Sequence, residues 1–535
     1  MKILFLYPNA GSQLGFNYGI AHLSAVLKQA GHDVALWQLC DDIEPLPFEE
    51  QFISRLRRES ADIIGFSVVT NQWPYAKKLA AWARKATDAP LVCGGIHTMA
   101  AAEEILQSQV FDYIIRGEAE EAFAEFVDRL SKNQDPSGIE NLGFLQNGEL
   151  RLNPLRPLPD LKKLPFKDYD IFDFQKIIDA KNGWAGLMAS RGCPFSCTYC
   201  FNHQLVSDYR RDLGCSFKGL NYIRHFEVNQ MIEEIEYLLQ NYRNISMFIF
   251  DDDLFTFYFE YVKQFCAAYK KISPLPFVVN AHVGFFDKKR ALCLADANCS
   301  IVKFGVESGS ERIRRRILQR RMKNAEIVNA IKTAHQYGLH TSIFLMIGLP
   351  DDTRADVMAT IRLMAQAKPG RYRWSFFFPF PGTKAYELSD QGNYLDFAKM
   401  AQMENFTDGS CLKFGREHNL FLKKVGRTLP WFVNAHVGFF DEKRARYLAE
   451  ANCSIVKFGV ESGSERIRRR ILQRRMKNGE IIKAVKTAQQ YGLHTSIFLM
   501  IGLPGETRAD VMATIQLMAE AIPGRYRWSF FFPFP

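Results

Sequence analysis

Three cysteines stand close together in the run RGCPFSCTYCFNH: Cys193, Cys197 and Cys200, with the spacing C-x3-C-x2-C. Three thiolates on one short loop can bind three irons of a cubane cluster and leave the fourth iron open, whereas clusters that only transfer electrons use four cysteines. The same cysteines together with His203 would also make a four-ligand zinc site. A disulfide is a third reading of the pattern. The spacing predicts a metal centre, and the elements around the loop must decide its kind.

The bulk composition is that of a soluble globular protein. The chain has 535 residues, 47% of them hydrophobic and 24% charged, and its length suggests about three domains. Eleven cysteines are too few for a disulfide scaffold and favour reduced thiols in the cytoplasm. The opening MKILFLYPNAG predicts a β-strand and not a signal peptide, and no apolar run reaches the ~20 residues of a membrane helix. We therefore expect a cytoplasmic protein without a membrane span.

The net charge of +10 raises the question of a nucleic-acid partner. Much of the excess lies in the run RIRRRILQRR, residues 466–475. A basic helix face is usually solvated, so the run indicates a surface helix. We expect no nucleic-acid partner.

A long segment is duplicated. Residues 276–381 recur as 430–535 with 16 differences among 106 aligned positions. The second copy contains no C-x3-C-x2-C, so it cannot form an active site alone. Because short connections are favoured, we expect the first copy to complete the fold begun before it, and the second to be an additional half-barrel.

Residues 1–131 alternate buried strand patterns with helical ones, which predicts an α/β, doubly wound (flavodoxin-like) domain with a parallel sheet. Such sheets bind ligands beyond the carboxyl ends of their strands. The residues at those ends, the candidates for binding a cofactor, are Asn9, Ser67, Thr70, Gly94, Gly95 and Glu118.

A connector with a small hairpin is expected over residues 132–185, with Asn147–Gly148 as its turn. About six βα units follow over 186–381, which predicts a partial (β/α)6 barrel, and 382–429 form an extension without an assignable motif. Functional groups of such barrels lie at the carboxyl ends of strands. Besides the cysteine loop, the residues at those ends are Asp251, Asp252, Asp253, Glu307, Ser308, Ile347 and Gly348.

Seven motifs carry a family resemblance. The first domain contains GFSVVT, GGIHT and IIRGEAEEAF, and the second contains CPFSCTYC, FIFDDDLF, FGVESGS and FLMIGLP. On these motifs, residues 1–381 resemble the cobalamin-binding-domain radical S-adenosylmethionine (SAM) proteins, which include class B radical SAM methyltransferases and anaerobic magnesium-protoporphyrin ester cyclases. The resemblance implies that Cys193, Cys197 and Cys200 bind a 4Fe–4S cluster whose open iron chelates SAM.

The resemblance also implies roles for the other strand-end residues. Asp251 to Asp253 would contact the SAM ammonium, Glu307 and Ser308 its ribose or methionine groups, and Ile347 with Gly348 its adenine. The three aspartates could instead cap the following helix, and Gly348 could belong to a plain turn.

Cobalamin is the cofactor that the resemblance implies for the first domain. Many cobalamin domains place Asp-x-His-x-x-Gly after the first strand, but this chain has PNAGSQLGFN there, without a histidine. Cobalt would then lack a lower histidine ligand, and flavin or no cofactor are the alternatives. His97 is expected to line the pocket or support it.

The implied reaction is reductive cleavage of SAM followed by cobalamin-dependent methylation of an unactivated carbon in a small-molecule substrate of unknown identity. The electron would come from a donor such as flavodoxin or ferredoxin. The alternatives are a cobalamin-dependent radical oxidative cyclase and a non-catalytic iron–sulfur or zinc-binding module.

Overall fold

The computed structural model describes residues 1–11, 14–403, 409–428, 431–450 and 453–531. The chain divides into two compact units, residues 1–418 and 419–535. Helix Arg416–Thr428 contains the boundary. Within the described residues, none of the helices combines the length and the apolar character that crossing a bilayer requires.

The first unit begins with a seven-stranded sheet in the order β2-β1-β3-β4-β5-β6-β7. Strands β1 to β5 are parallel and consist mostly of buried apolar residues, as a sheet covered by helices on both faces requires. The strands are Lys2–Pro8, Asp33–Leu39, Ile63–Ser67, Leu91–Gly94, Tyr113–Ile115, Leu142–Gln146 and Glu149–Leu152, and the helices α1 to α6 are Tyr18–Gln29, Glu49–Glu59, Trp73–Arg84, His97–Ala100, Ala102–Gln107 and Glu120–Ser131.

Strands β6 and β7 form an antiparallel hairpin that pairs with β5. Its turn residues Asn147 and Gly148 have φ angles of 53° and 83°, the left-handed pair that a tight two-residue hairpin turn needs. The hairpin therefore extends the sheet of the first domain, although it follows that domain in the chain.

A second sheet of six parallel strands has the order β15-β14-β13-β12-β11-β8, and it is the curled sheet of a partial barrel. Strands β8 to β15 are Trp184–Leu187, Ser190–Arg191, Arg224–His225, Met247–Phe250, Phe277–Ala281, Cys299–Glu307, His340–Ile347 and Arg371–Phe376, of which β9 and β10 pair only with each other. Helices α7 to α17 are Phe174–Ala180, Phe201–Leu213, Phe217–Leu220, Val228–Asn241, Phe259–Ile272, Lys288–Asp296, Glu311–Arg316, Asn324–Gln336, Arg354–Ala367, Lys384–Gln391 and Phe397–Gln402.

The two faces of this sheet differ in polarity, as strand β13 shows. Val302, Phe304 and Val306 are completely buried, while Lys303 and Gly305 between them line a cavity. Helix α14 covers the apolar side with Ile327, Ile331 and Ala334, spaced along one helix face, in the same core cluster. The polar residues of the barrel are thus presented to its inside.

The second unit contains a parallel sheet in the order β16-β17-β18-β19. Its pairing repeats that of the first copy, with Ile455 opposite His494 as Ile301 is opposite His340. After helix α18, Arg416–Thr428, its helices α19 to α22 are Glu442–Glu450, Glu465–Arg470, Asn478–Gln490 and Arg508–Ala521, and its strands are Trp431–Ala435, Cys453–Glu461, His494–Ile501 and Arg525–Phe530.

Candidate active site

The cysteine loop lies between β9 and α8, at the carboxyl end of the barrel strands. Cys193, Cys197 and Cys200 line one cavity of about 220 Å³. Cys200 precedes the first residue of α8, and its Sγ accepts a hydrogen bond from the Asn202 amide at 3.5 Å. Burial raises the pKa of the Cys193 thiol to about 12 and that of Cys200 to about 11. Such thiols become thiolates when a cation binds them, as metal ligation requires.

Arg320 is a residue of this cavity that the sequence did not single out. Its Nη1 lies 3.1 Å from Cys197 Sγ and 3.4 Å from the Tyr199 hydroxyl, and its Nη2 donates to the Gly305 carbonyl at 2.5 Å. The Tyr199 hydroxyl in turn donates to Glu307 Oε1 at 3.0 Å. The Arg320 guanidinium is thus placed to donate a hydrogen bond to the sulfur of Cys197.

Most arginines of the two runs are exposed or half-buried, as the sequence predicts, but one side chain in each run is buried. Arg314 and its equivalent Arg468 have 0% exposure. Arg314 donates to the carbonyls of Ser308 and Met322, and Arg468 to those of Ser462 and Met476. Arg314 thus fixes the loop after β13, and Arg468 fixes the loop after β17, a role that the net charge does not predict.

His203 is occupied by other partners. Its Nδ1 lies 2.6 Å from the Cys200 carbonyl, and its Nε2 accepts a hydrogen bond from the Lys384 amide at 3.2 Å. Both ring nitrogens thus already have hydrogen-bond partners. The fourth ligand that a zinc site needs is not offered by this side chain.

The three consecutive aspartates have three different surroundings. Asp251 Oδ2 accepts from the Tyr18 hydroxyl at 2.8 Å, and Asp253 Oδ2 accepts from Asn202 Nδ2 at 3.1 Å. Asp252 is completely buried, accepts from the Ala189 amide at 3.0 Å and from the Ser190 hydroxyl, and lines neither cavity. Burial raises the pKa of Asp252 to about 7.

The remaining residues that were expected to bind SAM also differ in whether they line the cysteine cavity. Glu307 lines the cysteine cavity, and burial raises the pKa of its carboxyl group. Ser308 does not, since its hydroxyl accepts from the Ser310 amide at 3.2 Å and lies 3.4 Å from that of Thr360. Ile347 is buried, with 1% exposure, and Gly348 adopts φ 73° while its amide donates to Asp352 at 3.1 Å.

A larger cavity of about 500 Å³ lies where the first sheet meets the barrel. The strand order 2-1-3-4-5 places a topological switch point between β1 and β3, where doubly wound sheets bind their ligands. Four of the six candidates of the first domain line this cavity: Ser67, Gly94, Gly95 and Glu118.

The other two candidates, Asn9 and Thr70, do not line it. Asn9 is 4% exposed, and its Nδ2 lies 3.8 Å from Cys40 Sγ. The Thr70 hydroxyl is 3.3 Å from Nδ1 of His97, which is itself buried and outside the cavity lining. Both residues support the loops around the cavity.

Glu118 lines the cavity but is held by two arginines of the barrel. Its Oε2 is 2.6 Å from Arg191 Nη1, and its Oε1 pairs with Arg224. Arg191 also contacts Glu120 at 2.7 Å. Burial raises the pKa of Glu118, but Arg191 and Arg224 outweigh it and hold that pKa below its usual value. The first domain and the barrel are thus joined by a buried ion-pair network, in which Glu118 and Glu120 of the first domain contact two arginines of the barrel.

The two cavities share a wall. Asn202 and Asp253 line both of them, and their side chains are hydrogen-bonded to each other. The Tyr222 hydroxyl, in the larger cavity, donates to Asn202 Oδ1. One side chain pair therefore separates the cysteine site from the switch point of the first sheet.

Comparison with known proteins matches the first domain and the barrel to two different family models. The family model described as B12 binding domain matches residues 12–127. That of the radical SAM superfamily matches residues 187–364 and 408–518. The chain belongs to the radical SAM superfamily, with a B12-binding domain ahead of its barrel.

Relatives and solved structures extend the comparison. The chain is 27% identical to an uncharacterised methyltransferase of Pyrococcus horikoshii, over 84% of this chain and 98% of that protein. It is 23% identical to the anaerobic magnesium-protoporphyrin IX monomethyl ester cyclase of Cereibacter sphaeroides, over 86% and 76%. Its fold resembles the radical SAM methyltransferase TsrM of Kitasatospora setae, with a TM-score of 0.61, 16% identity, and 73% and 76% of the two chains covered.

The superfamily implies a 4Fe–4S cluster with SAM, and the first domain implies cobalamin. The residues present fit both groups. Three thiols line one cavity beside a guanidinium. A cubane cluster binds one thiolate at each of three irons, so this donor set fits it. The larger cavity lies at the site where the first sheet is built to bind a ligand.

Proposed function

We propose that this protein is a cobalamin-dependent radical SAM methyltransferase that methylates an unactivated carbon of a small-molecule substrate. The observation that carries the proposal is the shared wall of Asn202 and Asp253, which brings the cysteine cavity directly beside the switch-point cavity. Radical formation and methyl donation can then act on one substrate without its release.

When bound, the cluster with SAM supplies a hydrogen-abstracting radical, and cobalamin supplies a methyl group. The chain positions these groups. Cys193, Cys197 and Cys200 bind the cluster, and the Tyr18–Asp251 hydrogen bond ties the first domain to the barrel between them. Aromatic side chains of the larger cavity, Phe5, Phe16, Phe66 and Phe123, exclude water from the reacting groups.

The test is anaerobic reconstitution with iron, sulfide and cobalamin, followed by a SAM-cleavage assay. We expect iron bound at the loop and release of 5′-deoxyadenosine, both lost in Cys197→Ala. Cys453→Ala is the control, because Cys453 is buried in the second unit, outside the loop. The proposal would be refuted if the protein bound iron but released no 5′-deoxyadenosine. It would also be refuted if anaerobically prepared protein held zinc at the loop.

A radical oxidative cyclase is the second candidate, favoured by the 23% identity to the anaerobic cyclase over 86% of this chain. SAM that carries a labelled methyl group separates the two candidates. A methyltransferase transfers the label to a product, whereas a cyclase leaves it in methionine.

The proposed electron donor is a small reduced protein such as flavodoxin or ferredoxin. The proposed compartment is the cytoplasm, because the described cysteines are all free thiols. The test is whether a reduced flavodoxin replaces dithionite in the SAM-cleavage assay.

A further inference from the structure

A row of aromatic side chains leads from the cysteine loop to the surface of the protein. The ring of Phe195, in the middle of that loop, lies 5.9 Å from the ring of Phe285, centroid to centroid. The Phe285 ring lies 5.2 Å from that of Phe257, which lies 4.8 Å from that of Tyr258. Phe285 is 39% exposed and Tyr258 is 47% exposed. We call Phe195, Phe257, Tyr258 and Phe285 the aromatic patch.

The inner end of the aromatic patch lies at the cluster site. Phe195 is two residues from Cys193 and two from Cys197, and all three line the cysteine cavity. The imidazole of His282, in the same cavity, stacks on the Phe195 ring at 4.2 Å, and its Nδ1 accepts a hydrogen bond from the Gly284 amide at 3.1 Å. A partner that binds the aromatic patch therefore lies beside the cysteine loop.

The outer end of the aromatic patch is held in place by Arg290 of α12. Its Nε donates to the Thr256 carbonyl at 2.8 Å, and its Nη2 donates to the Phe257 carbonyl at 3.0 Å. Its Nη1 lies 3.1 Å from Asp287, the residue before α12. Because this one side chain joins the loop after β11 to the start of α12, the exposed rings are presented in a fixed arrangement. A pre-organised surface loses less entropy when it binds a partner.

The charges around the exposed rings are mainly positive. Residues 256–264 and 283–290 carry these rings, and they contain the cations Lys263, Lys288, Lys289 and Arg290 and the acids Glu260 and Asp287. Asp287 is paired with Arg290, whereas the three lysines are exposed. Exposed apolar patches with a polar rim mark interaction sites, and a positive rim attracts an acidic partner.

The duplicate lacks most of this surface. Phe439, at the position of Phe285, is 71% exposed. The repeated segment begins at residue 430, so it includes no counterpart of the cysteine loop or of residues 251–258. It also has Glu442 in place of Lys288. The duplicate therefore presents one aromatic ring of the four and a less positive rim, which makes it a control within the same chain.

We propose that the aromatic patch is the docking surface for the protein that reduces the cluster, a small acidic electron-transfer protein. The inference rests on the proposed function and assigns a binding site to its electron donor. The donor loses one electron and the cluster site gains one, and no bond or proton is exchanged. Electron-transfer encounters bury less than about 1,200 Å² in total, so a few exposed rings with flanking lysines are sufficient.

The experiment uses the full-length protein reconstituted with iron and sulfide, and reduced flavodoxin as the probe. Anaerobic stopped-flow absorption measures the rate of cluster reduction, and quenching of the flavin fluorescence measures the affinity for oxidised flavodoxin. Dithionite is the reference donor, because a small reductant needs no docking surface. We expect the rate with flavodoxin to fall as salt is added, since salt screens the attraction between the two surfaces.

Two matched pairs of variants locate the surface. Lys288→Glu introduces the residue that the duplicate already has at this position, so the fold is expected to tolerate it. It is expected to slow reduction by flavodoxin about tenfold at low salt, whereas Glu442→Lys leaves the rate unchanged. Phe285→Ala is expected to weaken flavodoxin binding about tenfold, as loss of an aromatic anchor predicts, whereas Phe439→Ala does not.

The proposal would be overturned if neither Lys288→Glu nor Phe285→Ala changed the rate or the affinity, or if the duplicate variants had the same effect. Slower reduction by dithionite in Phe285→Ala would assign the ring to support of the cysteine loop and would also overturn it. Loss of a dimer in Phe285→Ala, measured by analytical ultracentrifugation, would assign the surface to a second copy of the chain instead.

Failure of this inference is distinguishable from failure of the proposed function. If only the docking surface is assigned wrongly, dithionite still drives release of 5′-deoxyadenosine in every variant. If the proposed function is wrong, wild type releases none with either donor. The same variants tested with reduced ferredoxin show which of the two donors depends on the patch, and independence of both donors from Lys288 and Phe285 contradicts the proposal.

Discussion

The buried ion-pair network between the first domain and the barrel provides the sharpest test of how the site is assembled. Arg191 is the cation nearest Glu120, at 2.7 Å, and the side chain of Glu120 is only 4% exposed. Glu118 also pairs with Arg224. Arg191→Leu would therefore leave Glu120 buried without its cation, whereas Arg224→Leu leaves both acids beside Arg191.

The expected magnitude follows from the cost of an unpaired buried charge. Removing one partner of a buried pair costs about 3–5 kcal/mol. At about 2 °C per kcal/mol for a large domain, Arg191→Leu is expected to lower the melting temperature by about 6–10 °C. Arg224→Leu is expected to lower it by less, because Glu118 and Glu120 both keep a cation.

The assay is differential scanning fluorimetry of the single variants and of Arg191→Leu combined with Glu120→Leu. Removing the stranded acid together with its cation is expected to restore most of the lost stability, since an apolar pair replaces a buried charge. A melting temperature of Arg191→Leu within 1 °C of wild type would refute the reasoning. A larger loss in Arg224→Leu would show that Glu120 does not depend on Arg191.

Two further predictions use the duplicate as a control, and a third removes it. Arg320→Met removes the N–H donor at Cys197, so the reduction potential of the reconstituted cluster is expected to fall by about 60 mV. An EPR-monitored redox titration measures the potential, and Arg474→Met is expected to leave it unchanged. An unaltered potential in Arg320→Met would contradict the contact. Burial raises the pKa of Asp352 to about 7, so its ionisation costs stability as pH rises from about 4 to 7. The melting temperature of Asp352→Asn is therefore expected to rise progressively above that of wild type between about pH 4 and 7, with Glu506→Gln as the reference for the loss of a carboxylate. A difference that is constant over this range would contradict the shift. A chain ending at residue 429 is expected to keep its iron and its SAM cleavage, because the site lies in the unit of residues 1–418; loss of deoxyadenosine would show that the duplicate contributes to the site.

Much of the architecture was predictable because it follows local rules. Buried apolar runs alternating with helical patterns gave the doubly wound sheet and the partial barrel, and both are confirmed. The cysteine loop was predictable because all three thiols lie within eight residues. The strand-end rule placed Ser67, Gly94 and Gly95 at the larger cavity, since it depends on topology and not on side-chain contacts.

What sequence could not predict depends on orientation and on distant contacts. Three successive aspartates after a strand point in different directions, and no local signal shows that Asp252 faces the core. At Glu307 the pairing of β13 with β14 shifts register and φ is 67°, so Ser308 turns away from the cavity. Arg320 reaches Cys197 across 123 residues of sequence, inside a run whose composition alone indicates a solvated helix.

The hairpin of β6 and β7 has a consequence for synthesis on the ribosome. Strand β5, the last parallel strand of the first sheet, has only three residues, and strand β6 (residues 142–146) pairs with the edge of β5 that β4 leaves open. The nascent chain must therefore grow to about Leu152 before this sheet is finished, and the three thiols emerge some forty residues later. The first sheet can therefore be complete before the three thiols, and the barrel strands that follow them, have been synthesised.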